Sequence, residues 1–226
     1  MFKTETHLHT RESNICADLD VEKTLKLHQG AGYSTIIMTN HYSSENLDRP
    51  EFPTWGDKID YLMKSYKIAK HIESEYGINV LFAIELTLKQ TGSDYLIYGI
   101  TEDFLRNNLD LYDLSLGELV KLCEENGFLI VQAHPFRERI ELAPLEYKVP
   151  IESYNGHTYL DPKNDVATAY AKENNLIGVS GSDFHREEKL ARGGIVTENE
   201  IKTIQEFIDV IKSRKFKTIE GGEVVQ

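Results

Sequence analysis

Apolar residues along this chain fall into short runs, separated by longer segments in which they recur at helical spacing. Thr35–Thr39, Asn79–Ile84, Tyr95–Ile100, Phe128–Ala133, Val149–Glu152 and Leu176–Ser180 are brief and rich in β-branched and aromatic residues, so they predict strands, with Phe2–Leu8 as a weaker first one. Between them, Asp20–Gly30, Ile59–Tyr76, Ser115–Asn126, Pro162–Asn174 and Thr197–Ser213 carry apolar residues at i, i+3 and i+4 and predict helices. Punctuation supports several of these. Asp20 is placed to cap the first helix, Gly77 and Gly127 follow the second and third, and Ser115 with Glu118 has capping-box spacing. Strands alternating with helices predict a parallel sheet covered by helices, and six or seven such units predict a closed or nearly closed TIM-like barrel. A doubly wound open sheet is the competing arrangement.

No repeat, low-complexity tract or linker divides the 226 residues, so a single domain over 1–226 is expected. With 25 Lys+Arg against 37 Asp+Glu, the net charge of −12 disfavours a nucleic acid polymer or an anionic membrane as partner. An anionic substrate would need local cations to overcome that field. The cysteines, Cys16 and Cys123, form neither a disulfide framework nor a zinc knuckle, which points to a cytoplasmic location. The segment Met1–His7 lacks the apolar stretch of a signal peptide, and no run approaches the length that spans a bilayer, so a soluble, unexported protein is expected.

Of the eight histidines, His7, His9, His41, His134 and His185 lie at or just beyond the C-terminal end of an apolar run. In a parallel barrel those ends share one face. In His7-Leu8-His9, residues two apart on a strand point the same way, so two imidazoles can chelate one ion from a single rigid element. Asp183-Phe184-His185 repeats the spacing with a carboxylate, and Glu85 ends its run where its two oxygens can bridge a pair of cations. Taken singly, a histidine at a strand end is more often a hydrogen-bonded rim residue than a ligand. Their joint placement favours a metal cluster. His28 and His71 fall within amphipathic helices and are expected to be solvated.

The order His7-x-His9-Thr10, Thr39-Asn40-His41, Glu85, His134-Pro135, Glu152-Ser-Tyr-Asn155 and Gly181-Ser-Asp183-Phe-His185 resembles the PHP (polymerase and histidinol phosphatase) family of metal-dependent phosphoesterases, over residues 5 to about 195. The resemblance implies a distorted (β/α)7 barrel with two or three divalent cations, zinc, manganese or iron, at the C-terminal ends of the strands. It places His7, His9, Glu85 and Asp183 on one metal, Glu85 and His134 on a second, and His41 and His185 on a third. The chain departs from the family in three places. The usual histidine after Tyr95–Ile100 is missing, with Glu102 as a candidate substitute. Asn14-Ile15 stands where an acidic residue or histidine often follows His9, leaving Glu12 or Asp18 as substitutes. Asn40 replaces the commoner aspartate before His41.

The chemistry expected is hydrolysis of a small-molecule phosphate ester by a metal-activated water or hydroxide, in line and without a covalent enzyme intermediate. Arg137, Arg192 and, behind them, Arg11 are candidates for holding the phosphate, because a guanidinium fork matches phosphate oxygens. His157 is a candidate proton donor to the leaving group, and the general acid is otherwise unassigned. The alternatives are an amidohydrolase-like metallohydrolase, disfavoured because Glu85 stands where a bridging lysine is common and Lys89 lies too far beyond, or a catalytically degenerate metal-binding regulatory module. The residues that select a substrate are expected in the Tyr42–Trp55 and Glu138–Tyr147 loops. Neither the ester nor the oligomeric state is readable.

Overall fold

The computed structural model describes residues 1–157, 159 and 161–225. Its strands are β1 (Phe2–Leu8), β2 (Tyr33–Met38), β3 (His41–Tyr42), β4 (Asn79–Thr87), β5 (Asp94–Tyr98), β6 (Leu129–Gln132), β7 (Ile151–Asn155), β8 (Gly178–Gly181), β9 (Ile195–Thr197), β10 (Lys217–Glu220) and β11 (Glu223–Val225). The helices are α1 (Val21–Gly30), α2 (Ser44–Leu47), α3 (Trp55–Tyr76), α4 (Glu102–Asn107), α5 (Leu116–Asn126), α6 (Asn164–Glu173) and α7 (Ile204–Ser213). Local chemistry sets several boundaries. The Asp20 side chain caps α1 by accepting from the Lys23 N–H, and Ser115 with Glu118 forms a complete capping box at α5. Thr203 and Glu206 form another at α7, so that helix starts at Ile204, and Thr197, expected at its head, ends β9 instead.

The sheet runs β11-β10-β9-β1-β2-β4-β5-β6-β7-β8, with β3 paired to β4. The α/β class and the curl of the sheet are as expected, but the closed or nearly closed (β/α)7 barrel is not formed. One edge of β1 pairs with β2, and Phe2–Thr4 on its other edge pair antiparallel with β9, so three of its seven residues are taken on that edge. Closure onto the far end of the sheet is limited to a single parallel bridge, Leu8 to Phe184, beyond the end of β8. The result is a curled, mostly open mixed sheet. The expected all-parallel order also fails at β5, which pairs antiparallel with both β4 and β6. The β4–β5 connection is only a tight turn around Gly92, far too short for the crossover that a parallel pair needs.

Strand alternation sorts the core into two faces. Ile36, Val80, Phe82, Ile84 and Ile130 point outward under α1, α3 and α5, while Ile37, Leu81, Ala83, Leu96 and Val131 point inward. Phe207, Ile208 and Ile211 of α7 pack against that inner face, and the Phe207 ring lies 4.6 Å from Tyr98. Glu85 follows Leu81 and Ala83 at period two, so the inner face turns from apolar to charged at one end of the sheet.

Glycines allow a close backbone approach beside that end. A Cβ on Gly193 would stand 2.1 Å from the Gly181 carbonyl carbon and 2.5 Å from the Ser182 nitrogen. Gly193→Ala is expected to destabilise the fold by roughly 1–3 kcal/mol, the usual cost of overpacking, because backbone and not a flexible side-chain tip must move. Urea unfolding measures it; an unchanged midpoint would refute the approach described.

Candidate metal centre

The centre is assembled on β1. His7 and His9 share its inner face with ring centroids 5.1 Å apart, and the Leu8 side chain between them is buried on the other side in the α1 cluster. Glu85 reaches them from β4. Its Oε1 lies 3.3 Å from His7 Nε2 and 3.0 Å from His134 Nε2; its Oε2 lies 3.2 Å from His9 Nε2 and 2.8 Å from His41 Nδ1. One carboxylate is thus shared by four imidazoles, two on each oxygen. Asp183 closes the other side, with Oδ1 at 3.6, 3.5 and 3.2 Å from His7, His9 and His185. His134 and Asp183 both hold positive φ, at 28° and 49°. Such backbone costs free energy in non-glycine residues and concentrates at functional sites.

Supporting groups fix the rings. The His7 Nδ1–H donates to Glu152 Oε1 at 2.9 Å, which leaves Nε2 facing the carboxylates. Glu152 Oε2 also accepts from the His134 backbone N–H and from Asn155 Nδ2. A carboxylate behind an imidazole in this way fixes its tautomer for ligation. Asn40 Oδ1 accepts from the Thr10 N–H, and the Asn14 carboxamide lies 3.3 Å from His9 Nδ1. The buried Glu5 Oε1 accepts from the backbone N–H groups of Thr6, His7 and Ser182, tying β1 to the turn before Asp183. Nothing in the local pattern marks Glu5 out; its role arises from contacts across the chain.

Electrostatics follow from this crowding. Burial opposes a charge on His7, yet Glu85, Asp183 and Glu152 outweigh it and hold its pKa well above the ordinary value. Burial, reinforced by His185 and His41, pushes His9 down to about 3, so its ring is neutral. Burial likewise opposes charge on His185, but its hydrogen bond with Asp183 lifts it to about 9. Glu85 and Asp183 stay ionised despite burial, each held well below the usual carboxylate range, first of all by His7.

The donor set fits divalent cations. His7 Nε2, His9 Nε2 and Glu85 Oε2 are buried without a hydrogen-bond partner and converge on one another. Unpaired buried polar atoms of this kind are costly unless something satisfies them. Their ligand atoms cluster within 4.8 Å as His7/His9/Glu85, Glu85/Asp94/His134, His9/His41/His185 and His157/Asp183/His185. The seven residues expected to bind metal, His7, His9, His41, Glu85, His134, Asp183 and His185, therefore meet in one place.

Other expectations are corrected. Glu102 pairs with Lys67 and Arg106 on the outer surface, because β5 runs antiparallel and its C-terminal end points away from the centre. The start of β5 comes to the centre instead, bringing Asp94, whose Oδ2 lies 3.7 Å from His134 Nε2; burial, with Glu85 adding to it, raises its pKa. The signal was visible only as an acidic residue preceding a strand, on the end where ligands were not expected. Asp94→Ala is expected to weaken the cation nearest His134 about 10- to 100-fold, measured by metal titration, while His9→Ala affects a different ion. Equal affinity with and without the Asp94 carboxylate would show that it is no ligand.

Glu12 accepts from the Val21 N–H and Asp18 pairs with Arg186, so neither joins the His41/His185 group. Arg11 is turned out to Asp20, and its side chain is 57% exposed. Arg137 does face the cleft: its Nη2 donates to Asp183 Oδ2 at 2.5 Å and to Asn155 Oδ1 at 3.0 Å. Arg192 lies against Gly156 with its Nε buried and unpartnered. His157 Nδ1 is 3.6 Å from Asp183 Oδ2. His28, expected on the surface, is fully buried, hydrogen-bonded to the Thr24 carbonyl and edge-on to Phe184. Arg137 and His157 line a cleft of about 340 Å³ together with His41, Glu85, Asp94, His134, Asp183 and His185, and Tyr159 and Arg186 stand at its wall; Arg11 and Arg192 do not line it. A larger cleft of about 740 Å³, at the opposite end of β1 beside α7, holds none of the clustered groups.

Residues 161–216 match the PHP-associated family model, PHP_C. It is the PHP family that this chain resembles. Solved structures agree in fold. A two-domain protein of Bacteroides vulgatus containing a predicted PHP-like metal-dependent phosphoesterase superposes at TM-score 0.65 with 15% identity, over 100% of this chain and 66% of that one, so this chain spans just under two thirds of it. PsfC of Pseudomonas syringae matches at TM-score 0.67 and 15% identity over 97% and 92% of the two chains. An amidohydrolase of Chromobacterium violaceum, with bound sulfate and no metal, matches at 0.50 and 14% over 92% and 96%. No curated protein matches the chain in sequence. Among the described residues, no helix is long and apolar enough to cross a membrane.

Proposed function

We propose that this PHP-like chain is a metal-dependent phosphomonoesterase acting on a small phosphate ester. The observation that carries this reading is the Glu85 carboxylate shared by four imidazoles, with the Arg137 guanidinium directed into the same cleft. His7, His9, Glu85 and Asp183 would hold one cation, Glu85, Asp94 and His134 a second, and His41 with His185 a third. When bound, such cations neutralise phosphate oxygens and lower the pKa of water towards about 7.

The chain's own residues do the rest. Asp183 presents Oδ1 to the histidines and Oδ2 to Arg137, so the guanidinium is held ready for the phosphate beside the cations. Arg137 supplies the planar fork that orients two phosphate oxygens, offsetting locally the field of a chain at −12. Arg192, behind Gly156, is a further candidate for the phosphate; Arg11, paired with Asp20, is left with no such role. His157, at the mouth, is positioned to give a proton to the departing alkoxide.

An amidohydrolase reading has the Chromobacterium violaceum neighbour in its favour. Against it, Lys89 pairs with Asp113 and Asp48 outside the Glu85 cluster, so that lysine does not bridge there. The deciding experiment measures metal content and then hydrolysis of a phosphomonoester panel and an amide panel, before and after chelation. Two or three ions per chain and chelator-sensitive phosphate release are expected. Amide turnover alone would favour the second reading, and bound metal with no turnover would favour a binding module.

A further inference from the structure

Outside the cleft, the fully buried His28 of α1 faces the fully buried Glu5 of β1, with His28 Nε2 3.8 Å from Glu5 Oε2. The His28 Nδ1–H donates to the Thr24 carbonyl at 2.9 Å, so Nε2 is the ring atom turned to the carboxylate. Both Nε2 and Oε2 are buried without a hydrogen-bond partner. At 3.8 Å they stand too far apart to bond directly, and leaving both unsatisfied is costly. Thr24 Oγ1, one turn earlier on the buried face of α1, is also without a partner. The pair stands against backbone that carries metal-binding side chains. Glu5 Oε1 accepts from the His7 and Ser182 N–H groups, and the His28 ring lies edge-on to Phe184, 4.8 Å between centroids, between Asp183 and His185 in the chain. Phe184 in turn donates to the His7 carbonyl and accepts from the His9 N–H.

We propose that His28 is a positioning residue of the metal centre, acting through one buried water that bridges its Nε2 to Glu5 Oε2. A single water reaches two polar atoms 3.8 Å apart at ordinary hydrogen-bond distance from each. Buried waters typically satisfy about three polar groups, and Thr24 Oγ1 is the third at hand. Held from this side, the Glu5 carboxylate keeps Oε1 on the His7 and Ser182 N–H groups, so β1 and the turn after β8 present His7, His9, Asp183 and His185 in one fixed arrangement. Ligands whose supporting shell is already ordered bind a cation more tightly than ligands that must be ordered on binding. Packing alone does not call for histidine here. An apolar ring would fill the space beside Tyr33 and Phe184 without leaving a buried polar atom to satisfy.

The effect on cation affinity rests on the metal-centre reading, whereas the water and the Glu5 hydrogen bonds are read in the metal-free chain. His28→Phe keeps a ring beside Phe184 and Tyr33 but removes the polar atom, while His28→Gln puts an amide close to where Nε2 stood. In the metal-free protein, amide hydrogen exchange at His7 and Ser182 is expected to quicken roughly 10-fold in His28→Phe and to stay near the unmodified rate in His28→Gln, with β4 amides unchanged in both. Titration with zinc should show the ion among His7, His9 and Asp183 bound about 10-fold more weakly in His28→Phe alone. A high-resolution crystal structure of the unmodified protein should hold a water within hydrogen-bond distance of both His28 Nε2 and Glu5 Oε2, a test that stands even if neither variant folds. No water at that place, unchanged exchange in His28→Phe, or an acceleration shared equally by β4 overturns the positioning role. Equal losses in His28→Phe and His28→Gln would assign the residue to packing and overturn it too. Failure of the unmodified protein to bind zinc would overturn the metal centre itself, with the water and the amide rates still deciding the link to Glu5.

Discussion

Glu85→Gln is expected to lower metal-dependent phosphate release by about a thousandfold, near 4 kcal/mol of transition-state stabilisation. The carboxylate offers one oxygen to His7 and His134 and the other to His9 and His41. An amide keeps one acceptor and turns an N–H pair towards the remaining imidazoles, so no bridging ion can be held there. A readout in the metal-free chain follows from the same geometry. Glu85 is the leading influence that overcomes burial and raises both His7 and His41. A histidine raised in the folded state stabilises it fully below the unfolded pKa, and that contribution is lost as pH rises through the folded value. In Glu85→Gln both rings should titrate at lower pH by NMR, and the high-pH limb of the stability profile should move down with them. Turnover near that of the unmodified protein would refute the bridging role.

Arg137→Ala is expected to lower kcat/KM for a phosphomonoester by roughly 100- to 1000-fold, as for removal of one preorganised donor to developing charge. Metal stoichiometry should be unchanged, since the guanidinium touches Asp183 through the oxygen that faces away from His7 and His9. Lysine should recover only part of the loss, having charge without the planar fork. In the metal-free chain the buried Asp183 loses a hydrogen-bonded partner, and a destabilisation of about 1–3 kcal/mol is expected from urea unfolding. An Arg137→Ala protein with unchanged kcat/KM but the same loss of stability would assign the residue to Asp183 alone.

The histidines were legible because ligation from one strand depends on spacing alone. His7 and His9 stand at period two, and extended backbone sends such a pair to one side; Asp183 and His185 share the spacing but not the backbone, since Asp183 holds φ at 49° beyond the end of β8. The helix ends at Asp20, Ser115, Gly77 and Gly127 were legible for a similar reason, since capping joins residues three or four apart. His28 was misplaced because its polarity suggested solvent, although it continues the buried face of α1 that Val21, Thr24 and Leu25 form at i, i+3 and i+4. Tyr33 and Phe184, which cover it, come from elsewhere in the chain.

What the order of residues determined by itself was therefore the alternation of strands and helices, the single inward face carrying His7, His9 and Glu85, and the chemical class of the groups brought there. Only the tertiary structure decided the direction of β5, which removes Glu102 and brings Asp94, and the antiparallel β9 on the edge of β1, which leaves the sheet open. The physical reason is common to both: side-chain period is a property of one strand, whereas strand direction and edge pairing depend on connection length and on which backbone donors are still free when distant segments meet.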